Sequence, residues 1–340
     1  LGSRPIEQIY DIFDLHIGNL LSSKSDAVRE ATAEAISRLN YGNAAERLSR
    51  LANDKSLSAK LRASAVEALY SIDANEVDVV VAMAIKTKSP LLRSAAVRVL
   101  AKRNAESKEL FPALTKAING TNLREQQNAL DVLGSLKSKE TITLLEMQTQ
   151  QLINGTANPL LQLDILEAAK ANKSGKLAQM TLDYEASRAE SASVDRFPEL
   201  LDGGDAMVGE SIFRTSYTAQ CIRCHKLGQV GGDVGPSLNG VASRLDERAM
   251  LESLIEPQAK IADGYGLTTF TMKNGEIFTG SIEKKSANFF SIKDQSGARI
   301  LIKTADIKSS SKSVSSMPPM MGILAPRDLR DLVAFMKTLK

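Results

Sequence analysis

The 340-residue chain contains no tryptophan, only two cysteines and two histidines, and just 4% aromatic residues. Two cysteines cannot build a disulfide framework, so the fold must rest on apolar packing and the meaning of the cysteines depends on where they stand. No apolar run approaches the roughly 20 residues needed to cross a bilayer, so no membrane span is expected, and no charged-then-apolar leader opens the chain. Neither sign of charge dominates. Forty-three Lys and Arg against 40 Asp and Glu leave +3, which provides no electrostatic footprint for nucleic acid or a membrane surface. What remains is 43% hydrophobic and 24% charged, the composition of a folded protein. At 340 residues it is too long for one ordinary core, so two units are expected. The chain opens on Leu1 rather than Met, and a longer or processed polypeptide is expected around it.

Glycine and charge divide the chain near residue 203. Fourteen of the 21 glycines lie from there onward, with 18 basic against 14 acidic side chains; the first part holds 25 against 26. That first part repeats. Val28-Arg29, Leu61-Arg62, Leu92-Arg93 and Leu123-Arg124 recur at intervals of 33, 31 and 31 residues, each opening an Ala-rich segment. A fixed period of this size marks stacked supersecondary units. Leu61, Ala65, Ala68 and Leu69, and likewise Leu92, Ala96, Val99 and Leu100, fall on one face of a helix. Each is followed by a second helical stretch (76–86, 109–119, 140–152), and a looser copy starts at Leu160, so the unit is a helical hairpin. The recurring arginines fit either a basic ladder or, more plainly, structural contacts between repeats. A polar stretch with Pro198 and Gly203-Gly204 reads as a linker over 191–204.

The two cysteines stand in Cys221-Ile222-Arg223-Cys224-His225, which matches C-x-x-C-H, the attachment motif for c-type haem. Two thiols three positions apart can reach the two vinyl groups of one porphyrin, and the adjacent imidazole can lie beneath the iron as an axial ligand. A structural zinc would need four ligands, and His16, the one other histidine, is distant in sequence. A thiol-disulfide motif would want a βαβ context rather than this glycine-rich one. One covalently bound haem c is therefore the expected cofactor, with Cys221 and Cys224 as thioethers and His225 on the iron. The sixth ligand is sought among downstream methionines. Met250 and Met336 lie on apolar helix faces and Met272 in a strand, where packing explains them. Met317, in the loop Ser316-Met317-Pro318-Pro319, is the candidate, with Met320 and Met321 as rivals. Between these methionines and the motif, GLTTFTMKNGEIFTGSIEKK reads as a hairpin around Asn274-Gly275, and a second pair of strands turns around Ser296-Gly297.

The repeats resemble HEAT repeats in shortened form, most clearly over residues 20–190. The motif, the upstream helix bearing Gly209 and Phe213, and the loop ending Gly235-Pro236-Ser237-Leu238 resemble class I cytochromes c. In that family the loop proline turns its carbonyl toward the axial histidine, and Pro236 matches that position; as a plain turn residue it has a simpler reading. The β insertion before S-M-P and a closing helix resembles the C-terminal haem-binding domain of large secreted proteins of planctomycetes and verrucomicrobia, which often follows HEAT repeats. The resemblance implies a mainly α chain: an α-solenoid over 1–190, a linker over 191–204, and a cytochrome c domain over 205–340 with a small antiparallel insertion at about 264–308. It further implies a non-catalytic electron-transfer module, periplasmic or otherwise exported, that takes electrons from a dehydrogenase domain or partner, sugar-oxidising ones included, and passes them to a respiratory acceptor. A haem-based redox or gas sensor whose solenoid binds a protein partner is the alternative.

Overall fold

The computed structural model describes residues 6–191, 193–294 and 296–340, with side chains from residue 9 onward. Residues 1–5 of the first expected unit, Ala192 of the expected linker and Gln295 of the second expected hairpin lie outside the described residues. The chain is mainly helical with one small antiparallel sheet and forms two compact units. One comprises residues up to Ala157 together with Asp164–Asp183; the other comprises Asn158–Leu163 and Tyr184–Lys340. No helix among the described residues is long and apolar enough to cross a membrane.

The first unit is a stack of helical hairpins. After α1 (Ile6–Leu21), the helices opened by the repeated pairs, α2 (Asp26–Leu39), α4 (Ala59–Ser71), α6 (Pro90–Arg103) and α8 (Leu123–Ser135), pack in succession. Each is followed by a partner: α3 (Ala45–Asn53), α5 (Val77–Ala84), α7 (Leu110–Ile118) and α9 (Lys139–Ile153). Small residues at the buried positions let the helices approach closely: Leu61, Ala65, Ala68 and Leu69 are all buried, as are Leu92, Ala96 and Val99. The starts are dictated locally. Ser58 Oγ accepts the Leu61 N–H, Ser89 Oγ the Leu92 N–H, and Asn122 Oδ1 the Glu125 N–H, so each cap satisfies a donor that the helix cannot. Two helices, α10 (Gln162–Ala171) and α11 (Gly175–Ala186), follow.

Two of the repeated arginines, Arg62 and Arg93, bind neighbouring hairpins, whereas Arg29 pairs with Asp26 of its own helix. Arg62 Nε donates to the Ala52 carbonyl at 3.0 Å. Arg93 donates to the Thr87 carbonyl at 2.8 Å and, through Nε and Nη2, to both oxygens of Glu125 at 2.6 Å. Glu125 is buried, so removing the guanidinium strands a carboxylate out of water. Arg93→Ala should lower the stability of this unit by about 3 kcal/mol, read as an earlier denaturation transition, and Arg93→Ala with Glu125→Leu should recover part of the loss.

The longer segment of the second unit begins at Tyr184, ahead of the stretch expected to be a linker. That stretch is folded: Ser193–Arg196 and Pro198–Leu200 are 3-10 turns, and Val194 and Leu200 are buried in the unit's core. Its polar composition hid an apolar spacing, Val194, Phe197 and Leu200, that packs one side. Arg188 donates to the buried Glu199 at 3.1 Å and lies over the Tyr184 ring. Burial and the neighbouring Glu199 push the Tyr184 hydroxyl up to about 12. Helices α12 (Ala206–Thr215) and α15 (Pro326–Met336) cross closely, and α13 (Cys221–Cys224) and α14 (Glu247–Ile255) complete the helical part.

The sheet comprises β1 (Gly266–Met272), β2 (Ile277–Lys285), β3 (Phe289–Lys293), β4 (Arg299–Lys303), β5 (Ile307–Ser310) and β6 (Val314–Ser315). Its order is β4-β3-β2-β1-β5, with β6 also on β1. Three consecutive hairpins join β1 to β4, turning at Asn274-Gly275, between Lys285 and Phe289, and around Ser296-Gly297. A 3-10 turn, Thr304–Asp306, returns the chain to β1, so the sheet extends past residue 308 to Ser315. One face buries Phe270, Met272, Ile292 and Ile302, with Phe278, Ile282 and Phe290 packed against them.

Candidate functional site

The site is a single helical turn clasped by a glycine-rich loop. Gln220, with φ of 49°, turns the chain into α13, whose one turn sets Cys221 and Cys224 three residues apart. Both cysteines are free; Cys221 is half-buried against the unit's core and Cys224 is exposed. Burial raises the Cys221 thiol above its ordinary range, the opposite of the lowered thiol that disulfide-exchange chemistry uses. Among the described residues no three His, Cys, Asp or Glu side chains converge to hold a metal ion, so Cys221, Cys224 and His225 do not share a chelating point.

Residues 228–239 fold back over this turn. The Gly232 N–H donates to the Ile222 carbonyl at 3.0 Å, the Gly235 N–H to the Cys224 carbonyl at 2.8 Å, and the Leu238 N–H to the Lys226 carbonyl at 2.9 Å. Glycine is required by the closeness of the approach. A Cβ on Gly232 would overlap the Arg223 carbonyl, and one on Gly235 would stand 2.6 Å from Cε1 of the His225 ring and 2.9 Å from each ring nitrogen.

The loop fixes the imidazole. His225 Nδ1 lies 2.8 Å from the Pro236 carbonyl oxygen. A carbonyl can only accept, so a proton sits on Nδ1, and in the neutral ring Nε2 carries the lone pair. No other hydrogen bond engages the ring among the described residues. A tautomer set by a backbone carbonyl is the usual way a ligating histidine is oriented. The structure therefore places Cys221, Cys224, His225 and Pro236 in one clasp.

The methionines separate by burial. Met250 and Met336 are buried in the helical core and Met272 in the sheet. Met320 is 3% exposed and its N–H donates to the Leu254 carbonyl at 2.7 Å, which ties it to the core. Met317 and Met321 are half-buried at the edge of that core. The elements flanking the clasp also expose apolar surface: Tyr217 is 92% exposed, and Val230 and Val234 of the loop are 60% and 57% exposed. One contact was not visible in the sequence. Lys293 of β3 pairs with Asp233 of the clasp at 3.1 Å, and the ammonium holds the Asp233 carboxyl below its ordinary range. The two residues are 60 positions apart and no local pattern joins them.

No family model matches the chain, and no curated protein matches it. Among solved structures, human deoxyhypusine hydroxylase in complex with glycerol is similar at 16% identity, over 58% of this chain and 83% of that one. The TM-score is 0.23, a likeness too loose to carry an argument.

Proposed function

We propose that this chain is an electron-transfer module of the c-type cytochrome kind, with one haem c held by Cys221 and Cys224. The observation that carries the reading is the clasp on His225: a proton fixed on Nδ1 by the Pro236 carbonyl and a free Nε2 lone pair beside two unpaired thiols. That donor set suits thioether attachment and axial ligation of a haem iron. The raised Cys221 thiol disfavours the disulfide-exchange alternative. The exposed Tyr217, Val230 and Val234 give a planar apolar group surface to cover.

When bound, haem supplies reversible one-electron chemistry. The chain's own residues bind and tune it. Pro236 orients His225, and Gly235 keeps the ring's flank clear. Met317 is the proposed sixth ligand, with Met320 and Met321 as rivals in the same core cluster. A thioether ligand would favour the reduced state, which suits a carrier. The helical stack is read as a HEAT-like array that holds this module against a dehydrogenase domain or partner, and the crossing of α12 and α15 supports a class I cytochrome arrangement. Haem c is attached outside the cytoplasm, so the proposed location is periplasmic or otherwise exported.

The test is an optical spectrum of the oxidised full chain, matured with haem-attachment machinery, beside Met317→Ala. The wild type should show the weak methionine-to-iron charge-transfer band and the variant should lose it. A band retained in Met317→Ala moves the ligand to Met320 or Met321, and wild-type protein that stays colourless sinks the reading.

A further inference from the structure

Between Gly266 and Ser315 the sheet carries eight Lys and Arg against four Asp and Glu, while the rest of the chain from residue 203 is balanced at ten against ten. The whole basic excess of this half is thus gathered on one small sheet. Its register puts much of that charge on one side. Lys293 stands opposite Arg299, Ser291 opposite Leu301, and Phe289 opposite Lys303, while Lys284 stands opposite Ser291. Side chains alternate along a strand, so these residues face away from the core of Phe270, Ile292 and Ile302. Leu301 is 66% exposed in their midst. Glu283 pairs with Arg299 at 2.8 Å and Asp233 with Lys293 at 3.1 Å.

We propose that this outward face of β2, β3 and β4, centred on Leu301 and framed by Lys284, Lys293, Arg299 and Lys303, docks an acidic protein partner. An apolar centre within a charged rim is the anatomy of a protein interface, and the net positive sign of the rim, two of whose four cations are paired with Glu283 and Asp233, selects the partner's charge. Lysines on an edge strand also discourage self-association, but that role does not explain an exposed leucine between them. The Lys293–Asp233 pair sets the face against the loop that carries Pro236 to His225. Resting on the reading above, a partner seated here is beside the group with which it exchanges electrons.

The test uses the full chain and two probes, poly-glutamate and a glutamate-tyrosine copolymer, titrated calorimetrically. Both should bind at about 0.02 M ionic strength and weaken sharply at about 0.3 M, the copolymer more tightly. Lys284→Glu with Lys303→Glu should weaken both by about tenfold. Leu301→Ser should remove only the copolymer's advantage. Lys86→Glu with Lys88→Glu, an equal charge change in the other unit, should alter neither. Equal weakening by the two charge reversals, or phosphatidylserine vesicles binding through Lys284 and Lys303 more tightly than either polymer, overturns the proposal. Binding is read without a cofactor spectrum. A colourless protein that still binds refutes the haem reading alone, and a coloured one that does not bind refutes the docking face alone.

Discussion

Replacing Cys221 and Cys224 together by alanine is expected to turn a chain that keeps its colour in acidified organic solvent into one that releases its pigment or never acquires it. Acid protonates the imidazole and strips an iron ligand, so only a bond to carbon survives this treatment, and the thioethers are the bonds in question. Single variants should retain pigment through the remaining sulfur at much reduced yield. The polypeptide itself should tolerate the change. Cys224 is exposed and Cys221 only half-buried, so the cost of truncation is of order 1 kcal/mol. Far-ultraviolet dichroism of the double variant should match that of wild type prepared without haem. Extraction resistance that persists in the double variant removes the thioethers and with them the proposed cofactor chemistry. His225→Ala makes the complementary comparison: the covalent bonds should remain while the spectrum loses its six-coordinate character.

The helical stack was legible because repetition multiplies a weak local signal. One Leu-Arg opening says little, but four at nearly constant spacing fix the hairpin period. The first and third hairpin turns of the sheet were legible for a similar reason, since Asn-Gly and Ser-Gly pairs break alternating strands. By contrast, β5 is four residues long and mostly polar, and it becomes a strand only because β1 offers an unpaired edge. The expected linker failed as a linker because composition averages over direction: Val194 and Leu200 are few, but both point inward. Within the site, motif spacing identified Cys221, Cys224 and His225, and a family resemblance directed attention to Pro236. The closeness of Gly235 to the ring and the bridge from Lys293 to Asp233 are tertiary facts. They depend on where two distant segments meet, and no period or motif encodes that.

Gly209→Ala offers a test in which two physical effects carry opposite signs. In an exposed helix the substitution would stabilise by about 0.5–1 kcal/mol, because glycine loses the most backbone freedom on folding. Here Gly209 of α12 lies where α15 crosses, and a Cβ would overlap the Asp331 carbonyl and stand 2.8 Å from the Phe335 Cβ. The crossing is fixed by more than this glycine. The Asp205 N–H donates to Asp331 Oδ1 at 2.8 Å, and the rings of Phe213 and Phe335 lie 5.9 Å apart. The helices therefore cannot slide aside without opening the core that buries Phe213, Leu332 and Phe335. Overpacking of this kind costs about 3 kcal/mol, which outweighs the propensity gain, so Gly209→Ala should destabilise the second unit by about 2 kcal/mol. Gly209→Val, bulkier and stiffer in a helix, should cost about 4 kcal/mol, most of the margin of a unit at the low end of the typical range of about 5–15 kcal/mol. Denaturation followed by amide exchange should show loss of protection in α12 and α15, with the hairpin stack unchanged. A Gly209→Ala protein more stable than wild type means that the helices do not meet at this residue. The clasp around His225 would then lose its main support, since α13 packs against α12 and the core beneath Cys221 is the one that α15 completes.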